Sequence, residues 1–182
     1  MIKVFGHKAP DTDATASAII WAWYMKQKGI NAVPYVLGKP NTEAAFVINY
    51  WGFDIPDILK DIEKGEDVII VDTNNPAELP NNISNANIIE IIDHHLLIGG
   101  LKTNKPISIT IKPLASTASI MAEMMGDDLI HAPKEIKGLI LSCILSDTLE
   151  FRSPTTTNTD IELAKKLSSE LDIKISEYAR KM

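Results

Sequence analysis

Cysteine is almost absent from this sequence, because Cys143 is the only one among 182 residues. No internal disulfide can form, and this usage is typical of a reducing compartment, so we expect a cytoplasmic location. A surplus of basic residues is lacking too: the formal net charge is −6, which leaves no electrostatic footprint for nucleic acid. No apolar run approaches the ~20 residues of a membrane span, and the start of the chain lacks the pattern of a signal peptide. We therefore expect neither nucleic acid nor a membrane as a partner.

Apolar, β-branched runs alternate with longer segments of helical composition, and 45% of the residues are hydrophobic, enough for one packed domain. The predicted strands are residues 2–6, 32–37, 67–71, 87–92 and 106–111. The predicted helices are residues 12–28, 42–50, a short one near 56–60, 116–125, 134–146 and 156–169, with a polar helix or tail at 173–181. This alternation predicts an α/β domain with a parallel sheet between layers of helices. Pro34 places the second strand at an edge of the sheet.

Histidine is scarce, and three of the four histidines lie beside aspartates at the ends of predicted strands. These residues fall in four stretches of sequence: GHKAPDTDA with His7, Asp11 and Asp13; VIIVDTNNP with Asp72; IIDHH with Asp93, His94 and His95; and LILSCILSDTLEF with Asp147. In parallel α/β folds the site forms outside the carboxyl ends of the strands. We therefore expect the four stretches to converge there.

Each stretch also has a purely structural interpretation. Asp11 or Asp13 could cap the helix that follows, and Asp72 could form a turn. Asp147 could cap a turn, although a carboxylate at the end of a helix opposes the helix dipole. The fourth histidine, His131, lies in a polar loop and is interpreted as a plain exposed side chain.

The composition of the set favours metal binding over these separate explanations. Mixed carboxylate and imidazole ligands without thiolates suit Mn²⁺, Mg²⁺ or Co²⁺. Clustered carboxylates repel one another unless cations separate them, which favours more than one divalent ion. Two ions about 3.5–4 Å apart would clamp the attacking and leaving oxygens of a phosphoryl transfer.

The order of these motifs resembles the DHH phosphoesterase superfamily. The segments GHKAPDTDA, VDTNNP, DHH, KPLASTASIM and ILSDTLEFRSPTTT resemble, in particular, the manganese- or cobalt-dependent family II inorganic pyrophosphatases. The resemblance covers essentially the whole chain. It implies a three-layer α/β/α domain around a five-stranded, mainly parallel sheet, and a homodimer formed through an edge strand. It also implies Mn²⁺ or Co²⁺ as cofactor, two ions per site, with Mg²⁺ as an additional or substitute ion.

The resemblance also implies roles for individual residues. Two metal ions would be held by six side chains: His7, Asp11, Asp13, Asp72, His94 and Asp147. In this scheme His7 and Asp11 serve one ion, while Asp72 bridges both. Asp72, Asp13 and His95 would act directly in catalysis, with His95 donating a hydrogen bond to the substrate phosphate.

Three further residues lie beside these motifs. Asp93 is expected to orient a histidine or hold the turn. Lys8 and Arg152 are candidates for binding the substrate phosphate, and each is as well explained as a solvated surface charge.

The expected activity is manganese-dependent hydrolysis of pyrophosphate to two phosphates. The family carries a second, C-terminal domain whose lysines and arginine close over the substrate, and no segment of residues 1–182 resembles it. We therefore expect this chain to be the DHH catalytic core alone, with low activity. The alternatives are another DHH phosphoesterase, such as an exopolyphosphatase, a nanoRNA exonuclease or a cyclic-dinucleotide phosphodiesterase, and a non-catalytic metal-binding domain.

Overall fold

A computed structural model describes all 182 residues. Its centre is a five-stranded sheet in which every neighbouring pair is parallel, in the order β2-β1-β3-β4-β5. The strands are β1 (Ile2–Phe5), β2 (Ala32–Tyr35), β3 (Asp67–Val71), β4 (Asn87–Asp93) and β5 (Ser108–Ile111). The predicted parallel sheet is confirmed. Pro34 lies in the edge strand β2 as expected, where a residue without an N–H costs no ladder hydrogen bond.

Six α-helices follow the predicted alternation. They are α1 (Thr12–Gln27), α2 (Thr42–Tyr50), α3 (Thr117–Met125), α4 (Lys134–Asp147), α5 (Asn158–Glu170) and α6 (Ile175–Ala179). Three 3₁₀ segments supplement them at Pro76–Glu78, Ile83–Asn85 and Gly126–His131. None of the helices combines the length and the apolar character that crossing a bilayer requires.

The predicted short helix near residues 56–60 is wrong. This segment is extended, and Ile58 forms an isolated parallel bridge with Val36. Val36 donates its N–H to the carbonyl of Asp57 and accepts a hydrogen bond from the N–H of Leu59. The segment thus satisfies its backbone groups against the end of β2, and this long-range pairing outweighs local helix propensity.

The two faces of the sheet are covered differently. The larger hydrophobic cluster, 31 buried residues, joins Val4, Ile69 and Ile92 of the sheet to the α-helices. Helix α1 is buried from Thr12 to Ala22, as its continuous apolar character predicts. The opposite face, which includes Phe5, packs on a smaller cluster built from 3₁₀ turns and extended segments. The site described next lies at the carboxyl ends of β1, β3 and β4, where α1 and α3 begin and α4 ends.

Candidate metal centre

The first part of the site is the short connection between β1 and α1. Gly6 permits it, because a Cβ atom there would lie only 2.8 Å from the Cβ of Ala14. Directly after Gly6, His7 places its Nε2 3.6 Å from Asp11 Oδ2 and 3.4 Å from Asp72 Oδ2. Asp11 is the N-cap of α1, since its Oδ1 accepts a hydrogen bond from the N–H of Ala14. The capping interpretation is therefore correct for Asp11, and its second oxygen still faces the histidine.

Asp13 lies in the first turn of α1 and is buried. Its oxygens accept hydrogen bonds from the backbone N–H groups of Thr117 (2.6 Å) and Ala118 (3.2 Å), in the first turn of α3. The hydroxyl of Ser17 donates a third, at 3.0 Å. Unpaired N–H groups at a helix start stabilise a carboxylate, so α3 holds the charge of Asp13 in place.

Asp72 occupies the centre of the site. It follows β3 with a left-handed φ of 60°, is 1% exposed, and accepts a 2.9 Å hydrogen bond from Thr117 Oγ1. Its two oxygens face opposite sides: Oδ2 lies 3.4 Å from His7 Nε2 and Oδ1 lies 3.4 Å from His94 Nε2. A strained backbone at a buried polar residue is typical of functional sites. Asp72 is thus positioned to contact two ligand groups at once.

The DHH stretch ends β4 and supplies two differently oriented imidazoles. His94 Nε2 lies 4.0 Å from Asp13 Oδ2, and its Nδ1 is 3.1 Å from the carbonyl of Leu114. His95 is half exposed, and its Nδ1 lies 2.8 Å from Asp93 Oδ1. The amide of Asn74 donates a 2.5 Å hydrogen bond to Asp93 Oδ2. Asp93 thus contacts His95 through one oxygen, and Asn74 holds its other oxygen.

Asp147 is the last residue of α4 and is directed into the same cluster. Its Oδ2 is buried and has no hydrogen-bond partner. The chain then turns through Leu149, Glu150 and Phe151, which all have left-handed φ values between 49° and 67°. Burying a carboxylate oxygen without a hydrogen-bond donor costs free energy. A cation next to this atom would offset that cost.

Three sets of side chains have potential ligand atoms within 4.8 Å of one another. They are His7, Asp11 and Asp72; Asp13, His94 and Asp147; and Asp72, His94 and His95. All six predicted metal ligands thus converge, and Asp72 and His94 each belong to two sets. The seventh member, His95, borders the cluster on its exposed side.

The electrostatics of the cluster show strong mutual dependence. Burial opposes the charged form of His7, but hydrogen bonds to Asp11 and Asp72 outweigh it and raise the pKa of His7 to about 11. His94 behaves in the same way, with a pKa of about 9, mainly through Asp72. Burial, followed by the charge of Asp72, raises the pKa of Asp13 to about 7.

Two further carboxylates in the cluster shift in opposite directions. Burial and then Asp13 raise the pKa of Asp147 well above its usual range. Burial would also raise the pKa of Asp72, but His7 and His94 outweigh it and lower that pKa. The cluster therefore needs added positive charge, either as protons or as metal ions.

The other singled-out residues lie apart from this cluster. Lys8 Nζ is 3.4 Å from both the carbonyl of Ala77 and Asn81 Oδ1, while Arg152 Nε donates to the carbonyl of Leu149 at 2.7 Å. Neither side chain has a polar contact with the six ligand candidates, although the backbone carbonyl of Lys8 lies 2.7 Å from His7 Nδ1. His131 is exposed, as expected.

Sequence reasoning missed two residues that support the site: Thr117, which binds Asp72, and Asn74, which binds Asp93. Thr117 had a partial signal, because Ser116 before an apolar run marks a helix N-cap, and Ser116 does cap α3. A turn-forming Asn such as Asn74 gives no sign of which carboxylate it will bind. Both side chains act through partners more than 18 positions away.

The sequence of this chain is similar to a known protein family and to named relatives. A model described as "DHH family, N-terminal domain" matches residues 1–146. A relative from Clostridium acetobutylicum, named as a probable manganese-dependent inorganic pyrophosphatase, is 39% identical over all 182 residues. A Bacillus cereus relative with the same name is 37% identical. The chain spans 58% and 59% of the lengths of these two relatives.

Two solved structures share the fold. A Methanococcus jannaschii protein assigned to the family II inorganic pyrophosphatases superposes with a TM-score of 0.89 at 37% identity, over all of this chain and 60% of that one. An exopolyphosphatase-related protein from Bacteroides fragilis has a TM-score of 0.76 at 17% identity, over 99% of this chain and 55% of its own. The latter is evidence for the fold alone.

Proposed function

This chain belongs to the DHH family, and from that premise we propose that it is the two-metal catalytic core of a manganese-dependent inorganic pyrophosphatase. The observation that carries the proposal is the convergence of two imidazoles and four carboxylates at the strand ends. The names of the relatives at 37–39% identity support pyrophosphate as the substrate. The chain spans less than two thirds of the length of those relatives. Pyrophosphate hydrolysis, which their names give for the full-length proteins, is therefore proposed for this chain.

The residues present fit a pair of divalent ions. Burying Asp13, Asp72 and Asp147 together is unfavourable without positive charge, and Asp147 Oδ2 has no protein donor. The ligands are oxygens and imidazole nitrogens, which suit Mn²⁺ and also Co²⁺ or Mg²⁺. When bound, two such ions would supply an activated water near neutral pH and neutralise phosphate charge.

We assign His7 and Asp11 to one ion and Asp13, His94 and Asp147 to the other. Asp72 would bridge them, because its two oxygens already face the histidines of the two groups. The N–H groups of α3 on Asp13 and the hydroxyl of Thr117 on Asp72 hold these carboxylates in fixed orientations. Such supporting hydrogen bonds position the ligands before the ions arrive.

The side chain of His95 would bind the substrate. Its Nδ1 is engaged by Asp93, and this hydrogen bond raises the pKa of the imidazole, outweighing partial burial, which lowers it. A protonated ring would present its other N–H to a phosphate oxygen and stabilise developing negative charge. Lys8 and Arg152 are assigned supporting roles in phosphate binding, and either would first have to leave its present backbone partner.

Several properties complete the proposal. The edge strand β5 has no partner on its outer side, and Ile109 there is 57% exposed, which supports a homodimer formed through that strand. The lone buried thiol of Cys143 fits a reducing, cytoplasmic compartment. Because the charged groups of Lys8 and Arg152 have no contact with the cluster, we expect slow turnover by this chain alone.

Phosphate release from pyrophosphate, with and without Mn²⁺, tests the proposal. The unchanged chain should bind two Mn²⁺ and release phosphate slowly, and Asp147→Asn should abolish that release. A short oligonucleotide offered in parallel should stay intact. Release of mononucleotide would favour a nuclease of the DHH family instead, and Mn²⁺ binding without hydrolysis of either substrate would favour a non-catalytic metal-binding domain.

A further inference from the structure

Glu43 lies outside the ligand cluster, on a helix that contributes nothing to it. It is the second residue of α2, whose N-cap is Asn41, and acidic residues are favourable in the first turn of a helix. A single oxygen, Oε1, accepts hydrogen bonds from the hydroxyls of Thr12 and Ser146, each at 2.5 Å. Bonds from hydroxyls to a carboxylate at this length belong to the strong, charge-assisted class.

The positions of these two donors relate Glu43 to the metal centre. Thr12 is the residue between Asp11 and Asp13 at the start of α1, and Ser146 directly precedes Asp147 at the end of α4. One carboxylate oxygen therefore joins the two chain segments that deliver three of the carboxylate ligands.

The hydrogen bonds to Glu43 act against repulsion between two of the carboxylate ligands. Potential ligand atoms of Asp13 and Asp147 lie within 4.8 Å of each other, and the like charges of these two carboxylates would push the start of α1 away from the end of α4. Thr12 is fully buried, so its side chain has little freedom to find another acceptor. The two bonds to Glu43 oppose this separation.

Resting on the proposed two-metal function, we infer that Glu43 is a positioning residue for the second metal ion. It acts through Thr12 and Ser146 and holds Asp13 and Asp147 at the separation that one ion requires. The group formed by Asp13, His94 and Asp147 depends on it most, because that group takes ligands from both connected segments. The group with His7 and Asp11 takes a ligand from only one of them.

Calorimetric titration of the chain with Mn²⁺ tests this role. Glu43→Ala should weaken one binding step about tenfold, in the range typical for residues that support metal ligands, and it should be the step that Asp147→Asn also weakens. Glu43→Gln keeps an acceptor oxygen at the same place and should restore most of the affinity. Glu135→Ala is the matched control, because Glu135 is likewise second in its helix, α4, and has no side-chain hydrogen bond; it should bind Mn²⁺ like the unchanged chain.

The outcomes separate this inference from the proposed function. If the unchanged chain binds no Mn²⁺, both are refuted. If it binds two ions and Glu43→Ala matches Glu135→Ala, only the role of Glu43 is refuted. Equal losses in Glu43→Ala and Glu43→Gln would also overturn it, because charge and not the hydrogen bond would then be responsible. Should Glu43→Ala not fold, Ser146→Ala removes one of the two bonds alone, and unchanged affinity in that variant would contradict the inference.

Discussion

Replacing Gly6 by alanine should disturb the metal centre by a distance that the structure specifies. The new Cβ would lie 2.8 Å from the Cβ of Ala14 and 3.0 Å from its Cα and carbonyl oxygen. Ordinary contact begins at 3.4 Å, so β1 and α1 would have to separate by about 0.6 Å. Metal–ligand distances tolerate only about ±0.2 Å. His7 follows Gly6 directly, and the shift would therefore move it away from Asp11 by more than one ion can accommodate.

Two consequences of Gly6→Ala can be measured on the purified chain. Overpacking of this kind costs about 1–3 kcal/mol, which lowers the melting temperature of a domain this size by roughly 2–12 °C. In a Mn²⁺ titration, the step that Asp11→Asn weakens should lose about tenfold in affinity. This step is the binding of the ion held by His7 and Asp11, and Asp147 is assigned to the other ion.

Gly38→Ala is the control for Gly6→Ala. A Cβ at Gly38 would lie 3.7 Å from the nearest heavy atom, Pro10 Cδ, which is an ordinary contact. Neither glycine has a left-handed φ, so the two substitutions differ in crowding and not in backbone strain. If Gly6→Ala melts and binds Mn²⁺ like Gly38→Ala, the close approach of β1 and α1 does not set the ligand geometry, and the reasoning is refuted.

Three further predictions concern the bridge, the protons and the turn after α4. Asp72→Asn should weaken both Mn²⁺ steps and Asp11→Asn only one; unchanged stoichiometry and affinity in Asp72→Asn would contradict a bridge. Since Asp13 (pKa about 7), His94 (pKa about 9) and His7 (pKa about 11) hold protons that compete with the ions, Mn²⁺ affinity should rise with pH from about pH 6 and still be rising at about pH 8, with proton release measurable as buffer-dependent binding enthalpy. Leu149→Gly should stabilise the chain by about 0.5 kcal/mol in urea unfolding, because relief of a left-handed φ (about 1–2 kcal/mol) exceeds the entropy cost of glycine (about 0.5–1 kcal/mol); Leu149 is 60% exposed, and a lower stability would refute the claim of strain.

Local patterns in the sequence account for most of the fold. The predicted bounds of α2, residues 42–50, and of β3, residues 67–71, agree with the structure, because both segments combine clear apolar patterns with terminal signals. The prediction of a helix near 56–60 was wrong, since the conformation of this segment depends on a bridge to Val36 that no local pattern encodes.

The candidate site divides in the same way. The residue types and their places after apolar strands were sufficient to predict that His7, Asp72 and His94 would meet, because parallel strands present their carboxyl ends at one edge. Asp147 was harder to place, as its position depends on how α4 crosses toward α1. Its unpartnered oxygen became evident only in the folded chain.

The amino-acid sequence by itself determined the alternation of strands and helices, the residue types of the candidate ligands and the family, because each of these depends on residue types and short spacings. Only the tertiary structure decided which hydrogen bonds support the site. Thr117 donates to Asp72, Asn74 donates to Asp93, and Glu43 accepts hydrogen bonds from Thr12 and Ser146. Each of these bonds joins residues distant along the chain. Hydrogen bonds depend on distance and direction to within a few tenths of an ångström, and packing of the whole domain is what sets both.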